Sequence, residues 1–378
     1  MRIFQVISNG SNQAIDNSKT WYRNLYEPLL ELGHDVYLFS SNEKQRTVQL
    51  RDPTQRDSFS QKLFNAFMEE HSKKPFDLFF SYFTDSMVNP ASIDEIRKLG
   101  VPTCNFSCNN AHQFHLVAGI SPHFDYNLHS EKNVSEKFKS VKANSIWWPM
   151  ASNPKFYHPK RLERNIDVSF VGTSYSLRAK YIYHLLGNKI NVHAFGPGWD
   201  TFTSNHFRHS ISRLLDVLRT VRGPKDGGEM IASSRLYERD IQQRLQRSFP
   251  RNVHGPISDS ELINLYSKSR FSLGFLEMYD KHDASRGIVK HLHLRDFEAP
   301  MCGACYITGY SDELAEMFEP DREVIVYEDS HELLSKVKYF LRNESEAEKI
   351  RRAGRKRALR DHTYQRRFEQ LFDKLGLK

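Results

Sequence analysis

Short apolar runs alternate with longer amphipathic stretches through the first half of the chain. Ile3 to Ile7 is a mostly apolar run, followed by the polar loop Ser8-Asn9-Gly10-Ser11-Asn12. Trp21, Leu25, Leu29 and Leu32 then recur at helical spacing, and Gly33 stands where a helix would close. Val36 to Phe39 predicts a second strand, Phe76 to Phe80 a third and Pro102 to Phe106 a fourth, with helical segments between them. Alternation of this kind predicts a parallel sheet covered on both faces, with ligands at the carboxyl ends of its strands. The loops after Ile7, Phe80 and Phe106 therefore face the binding edge.

The pattern restarts after a proline-rich passage. Ile146-Trp147-Trp148 reads as a last strand, and Pro149, Pro154 and Pro159 interrupt regular structure behind it. Val168 to Val171 opens a new unit as a strand, Gly172-Thr173-Ser174 is its turn, and a helix starts near Tyr175. The expected organisation is a first domain over 1–150, a connection over 151–165, and a second domain over 166–362. A basic insertion falls near 206–251, and a terminal helical segment covers 363–378.

Composition narrows the class. The 378 residues suffice for two ordinary cores, and 39% hydrophobic with 12% aromatic content excludes a disordered chain. No stretch approaches the roughly 20 apolar residues of a membrane span. The sequence opens directly on the strand-like Arg2 to Ile7, so a cytoplasmic protein without a signal peptide is expected. Cys104, Cys108, Cys302 and Cys305 form two close pairs far apart in the chain. Reduced core thiols are the expected reading and a zinc site the alternative; no metal is expected. The net charge of +8 points to an anionic partner. It gathers in Lys349 to Arg357 and in the insertion. There Phe207, Ile211, Leu214, Leu215, Leu218 and Val221 recur at helical spacing among arginines. That segment either packs on its own domain or touches an anionic membrane through 206–222, which would make the protein peripheral on the inner face of the membrane.

Two passages carry candidate chemistry. A glycine at a strand-to-helix turn, with Thr173 and Ser174 at the helix entrance and Arg178 nearby, presents free N–H groups and a cation to a diphosphate. The alternative is an ordinary helix capped by Ser174 with Arg178 exposed. Gly196-Pro197-Gly198-Trp199 follows the strand Asn191 to Phe195, either lining a ligand or making a plain turn. In Leu294 to Thr308, Glu298 precedes a break at Pro300 and Gly303 and then a short apolar strand. A carboxylate so placed can accept two hydrogen bonds from a vicinal diol such as a ribose.

These passages stand in an ordered series with Val253-His254-Gly255-Pro256-Ile257, Ser260 to Tyr266, Arg270 to Phe275, Ser311 to Leu314, Val324 to Tyr327, Ala353-Gly354-Arg355 and Asp361 to Tyr364. The series resembles the C-terminal half of sugar-nucleotide glycosyltransferases of the GT-B fold, and looks most similar to the CgeB-like group named for spore-maturation proteins. It covers roughly residues 165 to 370. The resemblance implies two Rossmann-like domains facing across a cleft, and a C-terminal helix from Tyr364 that crosses back to the first domain. It also implies transfer from a nucleoside-diphosphate sugar, based on UDP, GDP or dTDP, to a hydroxyl acceptor without a bound metal. Gly172, Thr173, Arg178, Gly255, Lys290, Arg295 and Glu298 would hold the donor.

The chain departs from the Glu-x7-Glu motif of many retaining members. Glu298 is kept, while Lys290 and His293 stand where the first Glu and a glycine belong. Read as a helix, this segment groups Lys290, His291 and Leu294 and angles His293 and Arg295 away. A cation here would neutralise charge on a departing diphosphate. Whether the anomeric centre is retained or inverted stays open. An inverting reaction needs a general base, for which His112, Asp16 and Asp85 are the candidates; Glu277 would touch the donor sugar. The other readings are a non-catalytic sugar-nucleotide-binding module, an epimerase of the same fold, and a basic nucleic-acid-binding protein. The last is disfavoured because no helix-turn-helix, RNA-recognition, KH or zinc-finger signature is present.

Overall fold

The structure, a computed structural model, describes residues 1–7, 19–39, 53–200, 228–279 and 287–377, with the side chains of 228–236 left aside. Asp16 and the 206–222 segment lie outside the described residues. The chain forms two compact units, Met1–Phe156 with His362–Lys378, and Tyr157–Asp361.

The first unit holds β1 (Arg2–Val6), β2 (Asp35–Leu38), β3 (Leu78–Ser81), β4 (Thr103–Ser107), β5 (Tyr126–His129) and β6 (Ser145–Trp147). All pair in parallel in the order β2-β1-β3-β4-β5-β6. Alternation along β3 shows how both faces are buried. Phe79 packs with Phe4 at 5.6 Å on one face, whereas Phe80 meets Phe368 at 5.5 Å on the other. The helix through Trp21 contains a π-helical turn at Tyr22–Tyr26 and ends at Gly33, whose φ of +82° few other residues adopt.

Strand β5 has no counterpart in the sequence reading. Its centre carries Asn127, fully buried, whose amide donates to the carbonyls of Ser121 and Asn144. A polar residue whose amide N–H groups find partners outside its own strand breaks the apolar run that would have revealed the element.

The terminal helix Tyr364–Leu375 belongs to the first unit. Trp148 Nε1 donates to the Arg367 carbonyl at 2.9 Å, and Arg367 Nε donates to the Pro149 carbonyl at 3.0 Å. The chain leaves this unit between Phe156 and Tyr157, inside the proline-rich passage.

The second unit holds β7 (Ile166–Val171), β8 (Val192–Phe195), β9 (Val253–His254), β10 (Ser269–Leu273), β13 (Tyr306–Gly309) and β14 (Ile325–Tyr327) in one parallel sheet, plus an antiparallel hairpin of β11 (Glu277–Tyr279) and β12 (Ile288–Lys290). The sheet order β9-β8-β7-β10-β13-β14 reverses direction beside β7. That reversal is where open α/β sheets leave a crevice for a ligand. Helix Asp259–Lys268 starts with a full capping box of Ser258 and Glu261. Among the described residues no helix is long and apolar enough to cross a membrane, and no group of three His, Cys, Asp or Glu is arranged for a metal ion. All four cysteines are free.

Candidate functional site: an arginine pair at the sheet reversal

The carboxyl end of β7 collects the charged residues of the second unit. Arg295, the first residue of helix Arg295–Met301, donates through Nε to the Val171 carbonyl at 2.9 Å. Its guanidinium lies against Gly172, where an added Cβ would fall 2.3 Å from Nη2. Gly172 also has φ +154°, so a glycine is required for both backbone and space. Gly196 closes in from β8 in the same way, its missing Cβ 2.5 Å from the Gly172 carbonyl oxygen.

Arg178 opens the helix that follows β7 and is only 2% exposed. Nη1 donates to the Thr173 carbonyl at 3.0 Å, and Nη2 to the Tyr175 hydroxyl at 2.9 Å. Nη2 also lies 3.1 Å from His293 Nε2. Because a guanidinium only donates, His293 accepts on Nε2 and carries its proton on Nδ1, which faces Asp296 at 3.8 Å. The Tyr175 ring covers Arg178 at 3.9 Å, and Phe170 lies 5.5 Å from Arg178 and 5.2 Å from Arg295.

The neighbours of both guanidiniums are thus carbonyls, a phenol, an imidazole and aromatic faces, not carboxylates. Arg178 Nε and Arg295 Nη1 are buried without a hydrogen-bond partner. Burial, and then the charge of Arg295, hold Arg178 down to about 10. Asp296 and Glu298 attract these cations without forming an ion pair with either, so the guanidiniums keep donors and charge that a bound anion would meet.

Glu298 lies one turn along the helix from Arg295 and is 6% exposed. Burial pushes its carboxyl up to about 7, against the hydrogen bond from Tyr157 and the attraction of Arg295. Tyr157, the first residue of the second unit, is 1% exposed and holds this carboxyl in place.

Several expectations need correction. The helix after β7 starts at Arg178, not near Tyr175, because Ser176 has φ +56° and kinks the chain first. Ser174 does not cap that helix; Gln242 donates to its hydroxyl at 2.8 Å and to its carbonyl at 3.1 Å. Nor are the loop's N–H groups all free: Gly172 N donates to the Phe195 carbonyl, and Ser174 N to that of Pro197. Thr173 is exposed, its carbonyl held by Arg178. The segment before Glu298 is not helical either. Lys290 ends β12, paired in register with Glu277, because the β-branched Ile288-Val289 joins the hairpin. Lys290 Nζ donates to the Tyr310 carbonyl at 2.7 Å and pairs with Glu328 at 3.5 Å, apart from the arginines' partners.

The remaining candidates are placed as follows. Gly255 accepts from Gly196 N at 3.1 Å and leaves room for the Asp200 carboxylate, 2.5 Å from its missing Cβ. Gly196-Pro197-Gly198-Trp199 braces the Gly172 loop, Trp199 Nε1 donating to the Gly172 carbonyl at 2.6 Å. Glu277 is 4% exposed, its oxygens without a side-chain hydrogen bond, and burial raises its pKa. In the first unit, His112 sits on the short helix Asn110–Gln113 after β4. Lys137 Nζ braces that turn, donating to the Asn110 and Ala111 carbonyls at 3.1 and 2.6 Å. Asp85 is occupied: its two oxygens accept from Gly119 N at 3.0 Å and Ile120 N at 2.8 Å, which suits a structural anchor better than a base.

Tyr157 and Tyr175 escaped the sequence reading. Tyr157 lies in the proline-rich connection far from Glu298 in the chain, so no spacing signals the contact. Tyr175 stood in the expected helix start, where an aromatic residue is unremarkable.

No curated protein matches the chain. Solved structures do. A sucrose-phosphate synthase from Thermosynechococcus elongatus is 13% identical with a TM-score of 0.60, over 100% of this chain and 99% of that one. Anabaena Alr3699/HepE, solved in complex with UDP, is 10% identical with a TM-score of 0.57 over 100% of both chains. AviGT4, a glycosyltransferase involved in avilamycin A biosynthesis, is 12% identical with a TM-score of 0.56 over 100% and 97%. At such identities the likeness is one of fold, and two doubly wound Rossmann-like units make that fold GT-B. A family model described as glycosyl transferase-like matches residues 178–373, from the buried Arg178 through Arg295 and Glu298 into the terminal helix. That match spans more than half of the chain, and the protein belongs to the glycosyl transferase-like family.

Proposed function

We propose that the protein is a metal-independent glycosyltransferase of the CgeB-like group, moving a sugar from a nucleoside-diphosphate donor to a hydroxyl acceptor. The observation that carries this reading is the pair of Arg178, buried, and Arg295, half-buried, at the sheet reversal, neither in an ion pair with a carboxylate. Two guanidiniums match the charge of a diphosphate, and their unpartnered N–H groups supply donors to its oxygens. Charge that builds on the departing diphosphate is met by these fixed cations, the role a metal ion plays elsewhere. Glu298 accepts the ribose hydroxyls, and His112 serves as the general base toward the acceptor. Alr3699/HepE has been solved with UDP, with UDP and glucose, and with UDP-glucose, which favours a uridine donor on grounds of fold.

The test is calorimetric binding of UDP, GDP, dTDP and ADP in EDTA, with and without Glu298→Gln. Micromolar binding of one nucleotide is expected. Losing charged hydrogen bonds should weaken it by roughly 1.5–3 kcal/mol in the variant. No binding of any nucleotide would remove the reading; binding without transfer over a broad acceptor panel would turn it into a binding module.

The pH dependence has a definite sign. A ribose hydroxyl donates to the ionised carboxylate, and burial holds Glu298 at about 7. Affinity should therefore rise as pH increases through about 7 and then level off, while Glu298→Gln stays flat. In the unliganded protein the raised pKa acts oppositely. The folded state binds the proton more tightly, so stability is highest below the unfolded carboxyl's pKa and declines as pH rises to about 7. The shift corresponds to something on the order of 3 kcal/mol, and Glu298→Gln should remove that decline in a melting series from pH 4 to pH 8. A variant with the native pH slope would show that Glu298 is not the titrating group.

A further inference from the structure

Helix Glu344–Asp361 has one face fixed into the second unit and one face of a different character. Ala347, Ile350, Arg351, Gly354 and Ala358 are buried. The contact at Gly354 is so close that an added Cβ would stand 2.2 Å from the Glu323 carbonyl oxygen. Arg351 Nη2 donates to the Arg270 carbonyl at 2.9 Å, locking the helix in rotation. Lys349, Arg352, Lys356, Leu359 and Arg360 then follow at helical spacing along the exposed face. Arg352, Arg355, Lys356, Leu359 and Arg360 line a shallow groove of about 540 Å³.

The charges on this face are largely uncompensated. Arg352 pairs with Glu348 at 2.9 Å and Arg360 with Asp361 at 2.7 Å, both exposed contacts that water weakens. Lys349, Arg355 and Lys356 enter no ion pair among the described residues, and Arg355 Nε is buried without a partner. Leu359 stands 40% exposed among the cations.

We infer that this face is a docking surface for an anionic lipid bilayer. Charge complementarity selects an anionic partner, and a row of cations fixed on one rigid helix matches a plane of phosphate headgroups. The leucine selects among anionic partners, since it gains by entering the headgroup boundary. Base stacking on single-stranded nucleic acid needs aromatic side chains, and Lys349 to Asp361 contains none. The surface is separate from the arginine pair, so the inference does not depend on the proposed reaction.

Flotation of the full chain with phosphatidylcholine vesicles, with and without 30% phosphatidylglycerol, tests it. Binding is expected only with the anionic lipid and should fall with salt. Each cation near such a surface is worth about fivefold in partitioning. Lys349→Glu with Lys356→Glu should lower binding roughly 25-fold or more, with native melting and native nucleotide affinity. The Lys349→Gln, Lys356→Gln pair should give a smaller loss in the same direction. Native binding by the double Glu variant would overturn the inference, as would equal binding to neutral vesicles. Binding to DNA or RNA oligonucleotides without vesicle binding would overturn it too. Full displacement by millimolar inorganic phosphate would reassign the groove to a small anion.

Discussion

Arg295→Met is expected to lower nucleoside-diphosphate affinity by about 100-fold or more while leaving the unliganded fold intact. The variant keeps an unbranched apolar stem but removes the guanidinium that lies over Phe170 and beside Gly172. One or two charge-assisted hydrogen bonds at about 1.5–3 kcal/mol each account for the loss. Apo stability should fall by only about 1 kcal/mol, the net value of the one Nε bond to the Val171 carbonyl that the variant gives up. That contrast separates a ligand-binding arginine from a structural one. Arg178→Met should lose more stability, since Arg178 is fully buried and ties down both the Thr173 carbonyl and the Tyr175 hydroxyl. Gly172→Ala supplies the charge-preserving control: its Cβ needs the place that Arg295 Nη2 occupies, so affinity should fall with every charge retained. Calorimetric affinity and thermal melting of the three variants decide the matter, and native affinity in Arg295→Met would sink the arginine-pair assignment.

The second large effect is on folding. Phe368 is fully buried, with ring contacts to Phe80 at 5.5 Å, Trp148 at 5.2 Å and Phe372 at 5.8 Å. Phe368→Ala should destabilise the first unit by about 3–5 kcal/mol, the sum of lost transfer energy and the cavity left behind. For a unit of this size that is a fall of roughly 10 °C in its melting transition. Removing the chain from Thr363 onward goes further. It strips Tyr364, Phe368, Leu371 and Phe372 from the core and leaves Trp148 Nε1 without its acceptor. The first unit should then fail to fold, although every strand of its sheet lies more than two hundred residues earlier. A truncated protein with a native melting profile would show that the helix is an accessory and not part of that core.

Much of this architecture was legible from local pattern. The apolar runs around Phe4, Phe79, Phe106 and Phe170 marked strands, because a strand buried on both faces must be apolar along its length. Gly33 marked a helix end, because few other residues take its φ. The site was partly legible as well. Gly172, Arg178 and Glu298 stood out for their places at element boundaries, where α/β proteins present backbone and side chains to ligands, whereas Arg295 was read within a helix and angled away.

What failed were the readings that depended on partners elsewhere in the chain. Lys290 took a strand because Glu277 to Tyr279 offered an edge to pair with, whereas helical spacing alone put it beside His291. Asp85 looked like a free loop carboxylate until the backbone of Gly119 and Ile120 occupied it. Strand β5 was hidden by Asn127, whose partners lie outside its own run.

The sequence by itself determined where regular elements begin, which faces they bury and which residue types stand at their ends. Those follow from side-chain volume, polarity and backbone freedom within a few residues. Only the tertiary structure decided that Arg178 and Arg295 meet and that Tyr157 holds Glu298, whereas the return of the last helix to the first unit was already implied by the family resemblance. Strand order brings those groups together across long stretches of chain, where partial or full burial weakens the screening of their charges by water.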